Sequence, residues 1–106
     1  MGHFVICAFR PHPGKEQELR ALLRDHMPTL RSQGLITERP AYLMKARDGT
    51  MVEVFEWKSQ EAVDAAHLNP VVRALWTRFD DCCTCVTLRD LAETTSPYPH
   101  FEPVDV

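Results

Sequence analysis

Asp48-Gly49 stands between two runs that read as strands, residues 41–47 and 50–57. Asp-Gly in that setting is a strong hairpin signal, because a two-residue type I′ turn needs positive φ at both positions. Such a turn would set Arg47 against Thr50, Met44 against Glu53 and Tyr42 against Phe55. One side of the hairpin then carries Tyr42, Met44, Ala46, Met51, Glu53, Phe55 and Trp57. The other carries Ala41, Leu43, Lys45, Val52, Val54 and Glu56. Both sides are largely apolar, whereas an antiparallel sheet with one wet face alternates apolar and polar residues. The first strand, residues 3–10, repeats the pattern, with Val5, Cys7 and Phe9 against Phe4, Ile6 and Ala8. A fold built on these strands must cover both faces. Helices can take one, and a second copy of the chain is the simplest cover for the other.

The helices follow from spacing. Leu19, Leu22, Leu23, His26, Met27 and Leu30 recur at helical intervals, Pro28 predicts a kink or split, and Gly34 predicts a stop. A short helix over 60–68 ends at Asn69-Pro70, an N-cap followed by a first-position proline, and a second helix carries Val72, Leu75, Trp76 and Phe79 as its buried stripe. Residues 84–88 read as a last strand. The predicted order is β-α-β-β-α-β: an α+β, ferredoxin-like plan with a four-stranded antiparallel sheet and helices on one face. Residues 1–92 form the predicted domain. Residues 93–106, with Pro97, Pro99 and Pro103, are expected as an extended tail.

Composition narrows the function classes. The chain has 106 residues, 44% hydrophobic and 25% charged, with a formal charge of -3. That is one domain with a modest core, and it offers no basic footprint for nucleic acid. No apolar run reaches the roughly 20 residues of a membrane span, and no signal-peptide pattern opens the chain, so a cytoplasmic location is expected. Cys7, Cys82, Cys83 and Cys85 read as free thiols. Cys82 and Cys83 are adjacent and point different ways, and no second Cys/His pair follows, so the cluster reads as buried thiols rather than a metal site.

The chain resembles the dimeric α/β-barrel superfamily, and within it the antibiotic biosynthesis monooxygenase-like family. The resemblance spans roughly residues 3–90. It rests on the PGKE turn at 13–16, the hairpin, EWKS at 56–59, AAH at 65–67 and the NPVVRALW stretch at 69–76. It implies homodimers that pair through the open sheet face and a private pocket between each sheet and its helices. It also implies, for several members, oxidation of quinol or polyphenol substrates by O₂ without metal or flavin. Haem-degrading relatives use an Asn on the first strand, a Trp on the helix after the WKS turn and a His one helix further on. Here the Trp position is Ala66, the His position is Trp76, and the first strand has no Asn, which counts against that activity.

The expected site residues are therefore as follows. Trp57, at a place where oxygenating members carry an aromatic residue, is a pocket wall. His67 is the candidate base for a phenolic proton, and Glu53 is the odd carboxylate on an apolar side, either a second base or the partner of an arginine across the dimer. Tyr42, Phe55, Met44 and Trp76 are expected to line the substrate, although Trp76 also fits the core stripe. His26, among leucines, reads as a satisfied core histidine. The expected function is a small cofactor-independent monooxygenase for an aromatic, quinol-like substrate, with no metal. The alternative is a non-catalytic dimeric protein that binds a small apolar molecule or acts in a stress response. Haem binding through His67 or His26 is a third, weaker reading.

Overall fold

The computed structural model describes residues 2–106. Strand β1 (His3–Pro11) leads to helix α1 (Glu16–Ser32) and then to the hairpin β2 (Tyr42–Lys45) and β3 (Met51–Trp57). Helices α2 (Gln60–Leu68) and α3 (Pro70–Cys82) follow, then β4 (Cys83–Val86), two short 3-10 turns and β5 (Glu102–Pro103). The strands form one antiparallel sheet in the order β4-β1-β3-β2-β5, with the three helices on one face. The fold is thus mixed α+β with five strands rather than the expected four. The fifth comes from the tail, where Met44 pairs with Pro103 and Lys45 with Glu102. A short, proline-bearing strand is a common way to close a sheet edge that would otherwise expose unpaired backbone groups.

Helix α1 runs unbroken through Pro28. The proline is exposed, and so is Arg24, whose carbonyl loses its i+4 donor and can turn to water. Leu19, Leu22 and Leu23 before the proline and Leu30 after it are all buried, so packing on both sides holds one helix together. The helix ends at Gly34 (φ +71), where Leu35 N–H donates to the Leu30 carbonyl and Gly34 N–H to that of Arg31. This is a Schellman stop, and Leu30 and Leu35 pack together beneath it.

The hairpin register differs from the two-residue expectation by one residue. Ala46 N–H donates to the Thr50 carbonyl at 2.9 Å, and Gly49 N–H to that of Ala46 at 3.0 Å. The loop is therefore Arg47-Asp48-Gly49, a turn closed by glycine at φ +93. Asp48 Oδ1 accepts from Thr50 N–H at 2.8 Å, and its Oδ2 pairs with Arg10 at 3.0 Å, which fixes the wider loop. Leu43, not Met44, now faces Glu53, and Tyr42 faces Val54. A slip of one residue moves every side chain of a strand to the other face. Tyr42, Met44 and Ala46 consequently leave the helix-covered face that Met51, Glu53, Phe55 and Trp57 occupy.

The second face is covered in part by the chain's own C-terminal segment. Leu91 is buried against Ala8, Ala46 and Val52, with Met44, Val86 and Phe101 around them. The buried Glu93 carboxylate accepts from Arg47 N–H at 2.7 Å. The chain then crosses the β2 edge. Val104 N–H donates to the Leu43 carbonyl at 2.9 Å, and the Val104 side chain packs on the helix-side core. The C-terminal segment therefore docks on its own sheet through Glu93, Phe101, Glu102, Pro103 and Val104. What stays open is an apolar row with Phe4 60%, Ile6 50% and Tyr42 69% exposed.

Because the loop conformation sets which face each β2 side chain takes, Gly49→Ala should strain it at little steric gain, there being nothing within 4 Å of an added Cβ. The expected loss is about 1–2 kcal/mol in urea denaturation. An unchanged midpoint would show that the loop tolerates another conformation.

Candidate functional site

Two caps aim the helical wall of the site. Ser59 Oγ accepts from Ala62 N–H at 3.1 Å and starts α2. Asn69 Oδ1 accepts from Val71 N–H at 2.9 Å and Val72 N–H at 3.1 Å, and Pro70 takes the first position of α3. This joint turns α3 so that Val72, Leu75 and Phe79 bury, while Trp76 stays half-buried at the edge of the stripe.

Between these helices and the sheet lies a cavity of about 410 Å³. The sheet contributes Val5, Cys7 and Phe9 from β1, Phe55 and Trp57 from β3, and Cys85 from β4. The helices contribute His26 from α1, Val63 and His67 from α2, and Trp76, Phe79 and Asp80 from α3. The rings interlock: Phe55 and Trp57 at 5.3 Å, His26 and Phe79 at 5.0 Å, and Trp57 edge-on to Trp76 at 6.4 Å. Such a chamber favours a flat apolar ligand.

Its polar element is a chain of three side chains, two of them buried. Glu53 is 2% exposed and His26 3%. His26 Nδ1 lies 2.7 Å from Glu53 Oε1, and Trp76 Nε1 lies 3.1 Å from His26 Nε2. Indole N–H can only donate, so Nε2 accepts and the proton of a neutral imidazole sits on Nδ1, donating to the carboxylate. The arrangement presents a neutral imidazole lone pair toward the chamber, backed by a carboxylate and covered by an indole. This is the geometry of an oriented general base.

The expected site residues fall into three groups. Phe55, Trp57, Trp76 and His67 line the cavity. Of these, His67 is exposed and lies at the rim, its ring 5.1 Å from that of Trp76. Glu53 lies directly behind His26, so the partner of the odd carboxylate is a histidine of the same chain rather than an arginine across a dimer. Tyr42 and Met44 do not line this cavity: the hairpin register puts both on the opposite face, Tyr42 in the open row and Met44 against the Leu91 cluster. His26 is a satisfied histidine, as expected, yet it also faces the chamber. Its partnership with Glu53 joins elements 27 residues apart, and no local pattern marks it.

Cys7 is not available as a nucleophile. Burial, then the Glu53 carboxylate and Cys85, push its thiol up to about 12, so it is a protonated, apolar wall. Burial likewise raises Cys85. Among the described residues no group of three or more His, Cys, Asp or Glu is arranged to hold a metal ion. A larger concavity of about 620 Å³ opens between α1 and the hairpin, lined by Glu16, Arg20, Arg24 and Lys45. It is lined by charged side chains and has no buried titratable pair, so the aromatic chamber is the better candidate.

No family model matches the chain, and no curated protein matches it in sequence. Several solved chains share the fold, among them the following two. Rv0793 from Mycobacterium tuberculosis superposes with a TM-score of 0.64 at 23% identity, over 87% of this chain and 99% of that one. NE2512, a protein of unknown function from Nitrosomonas europaea, gives 0.57 at 17% identity, over 97% and 86%. At these identities the likeness concerns the fold alone. Among the described residues no helix is long and apolar enough to cross a membrane.

Replacing Glu53 with Leu would leave His26 Nδ1–H buried without an acceptor, at a cost of about 1–3 kcal/mol. Glu53→Gln keeps an acceptor and should cost less. Denaturant midpoints read the stabilities, and imidazole ¹⁵N shifts read the tautomer. Wild-type protein with the proton on Nε2 would refute the assignment.

Proposed function

We propose that this chain is a small cofactor-independent monooxygenase acting on a quinol- or polyphenol-like aromatic, with His26 rather than His67 as its base. The single observation that carries the reading is His26 lining an aromatic chamber with Glu53 bonded to it from behind. The family resemblance of the PGKE, EWKS, AAH and NPVVRALW segments supports it.

In this mechanism the ring lies between the Trp57 and Phe55 walls with a hydroxyl directed at His26 Nε2. The proton passes to Nε2, and Glu53 stabilises the imidazolium that forms. The phenolate gives one electron to O₂, leaving an aryloxyl radical and superoxide. The pair combines at a ring carbon bearing hydrogen and forms a C–O bond. His26 returns its proton to the terminal peroxide oxygen. Loss of water, taking the ring hydrogen, leaves a carbonyl. Quinol and O₂ thus give hydroxyquinone and water, with both oxygen atoms accounted for. The apolar walls keep water from the anion and the radical pair. His67, at the rim, acts on entry and orientation.

The second reading, a dimeric binding protein without chemistry, draws on a different feature. Both ring nitrogens of His26 and the indole N–H of Trp76 are already bonded in the protein by itself, which suits a stable receptor as well as a resting enzyme.

Oxygen uptake with a panel of hydroquinones and naphthols in metal-free buffer distinguishes the two. His26→Ala should lower kcat about 100-fold or more. His67→Ala should mainly raise KM. A ligand bound and recovered unchanged under air would favour the receptor, and turnover that survives His26→Ala would remove the assigned base.

The same reading takes the core as ferredoxin-like and the assembly as a homodimer. The open row of Phe4, Ile6, Val54 and Tyr42 would be covered by a second copy, with Arg39 at its rim, 2.8 Å from Glu56 and over the Phe4 ring. Sedimentation should give a dimer that Ile6→Asp or Tyr42→Asp converts to monomer. A wild-type chain sedimenting as a stable monomer would refute the assembly.

A further inference from the structure

We propose that Trp76 is a latch on the base: a phenolic hydroxyl opens it by inserting between the indole N–H and His26 Nε2, and the same N–H then holds the phenolate. The inference rests on the reading of the chamber as a site for phenols and adds which chemical group it selects and how.

A neutral imidazole offers one lone pair, and here Trp76 already occupies it at 3.1 Å. No ligand can give His26 a proton until the indole releases it. The imidazole cannot turn aside instead, because its other nitrogen is tied to Glu53 at 2.7 Å and both groups are buried. Trp76 is the less confined partner. It is half-buried at the edge of both helix-side core clusters, and its ring neighbours include the exposed His67 at 5.1 Å and Trp57, edge-on at 6.4 Å. The indole therefore moves and the histidine stays.

A hydroxyl suits the opened gap because it accepts from the indole and donates to Nε2, replacing the bond that is lost with two. A methyl ether accepts but cannot donate, an ammonium donates but cannot accept, and a carboxylate only accepts. The ligand class is thus a flat aromatic with a free hydroxyl. When its proton moves to Nε2, the oxygen keeps the electron pair and already has a donor aimed at it. A hydrogen bond to the anion is stronger than one to the neutral hydroxyl, so Trp76 favours the charged state.

The test uses ¹⁵N-labelled protein with 1-naphthol and 1-methoxynaphthalene as probes. The indole resonance missing from Trp76→Phe identifies Trp76. In the wild type it should shift on saturation with naphthol and not with the ether, and naphthol should bind about tenfold more tightly. Trp76→Phe keeps a ring in place. It should still bind naphthol, lose most of the preference over the ether, and hold a several-fold smaller naphtholate fraction at fixed neutral pH, read by absorbance. Naphthol binding with an unmoved Trp76 resonance, or an unchanged naphtholate fraction in Trp76→Phe, would overturn the latch and leave the phenol site standing. A shifted resonance without oxygen uptake would uphold the latch and remove the oxygenation. If neither probe binds, both fall.

Discussion

The hydrogen bond between Glu53 and His26 is the constraint around which the site is arranged. A carboxylate in the middle of β3, behind a packed helix, cannot be left alone, because desolvating it without a partner would cost several kcal/mol. His26 is the group that makes its burial tolerable. Meeting it requires α1 to lie across β3 at one height and one rotation, and the leucines of α1 supply that fit. The polar bond does not supply the packing energy. It penalises alternatives, since any shift of α1 along the sheet would leave two buried polar groups unpaired.

How much of this was legible varies with the range of the interaction. The α2–α3 joint is written locally in Asn69 and Pro70, and the structure uses both at the predicted place. Gly34 stops α1 for the same kind of reason. Pro28 does not split the helix, because the loss of one exposed hydrogen bond is smaller than the packing of the leucines on either side of it. Asp48-Gly49 announced a turn correctly but not its length. The extra residue is selected by Asp48 bonding Thr50 and Arg10, and Arg10 lies 38 residues away. From that single residue followed the misplacement of Tyr42 and Met44. His26 is satisfied as expected and also lines the cavity, which the sequence does not tell, since a histidine among leucines looks the same whether it faces a void or a packed core.

The apolar character of both sheet faces, read from the strand pattern, has a more divided answer than a partner subunit alone. Leu91 and Phe101 cover the rows of Ala8, Val52, Met44 and Ala46 from within the chain. Because β2 carries Met44 to that face, the tail finds an apolar platform there, and without the register shift it would meet Leu43 and Lys45 instead. The tail thus depends on the same turn as the site. The rows it does not reach, Ile6–Val54–Tyr42 and Phe4–Glu56, keep the apolar surface that called for cover in the first place.

The imidazole at the centre is held by two groups that each have only one role. A carboxylate, when ionised, only accepts, and an indole N–H only donates. Had either neighbour been a serine, a glutamine or a water, it could have reversed its role and let the ring exchange its tautomer. With Glu53 on one side and Trp76 on the other, the reversed tautomer would set a donor against a donor at Nε2 and a lone pair against an anion at Nδ1. Both contacts become repulsive at once, in a low-dielectric interior where they are poorly screened. The ring is therefore fixed as a proton acceptor toward the chamber before any ligand arrives. That orientation depends on the α3 cap that places Trp76 and the sheet register that places Glu53, so features far from the cavity decide which face of this imidazole accepts a proton.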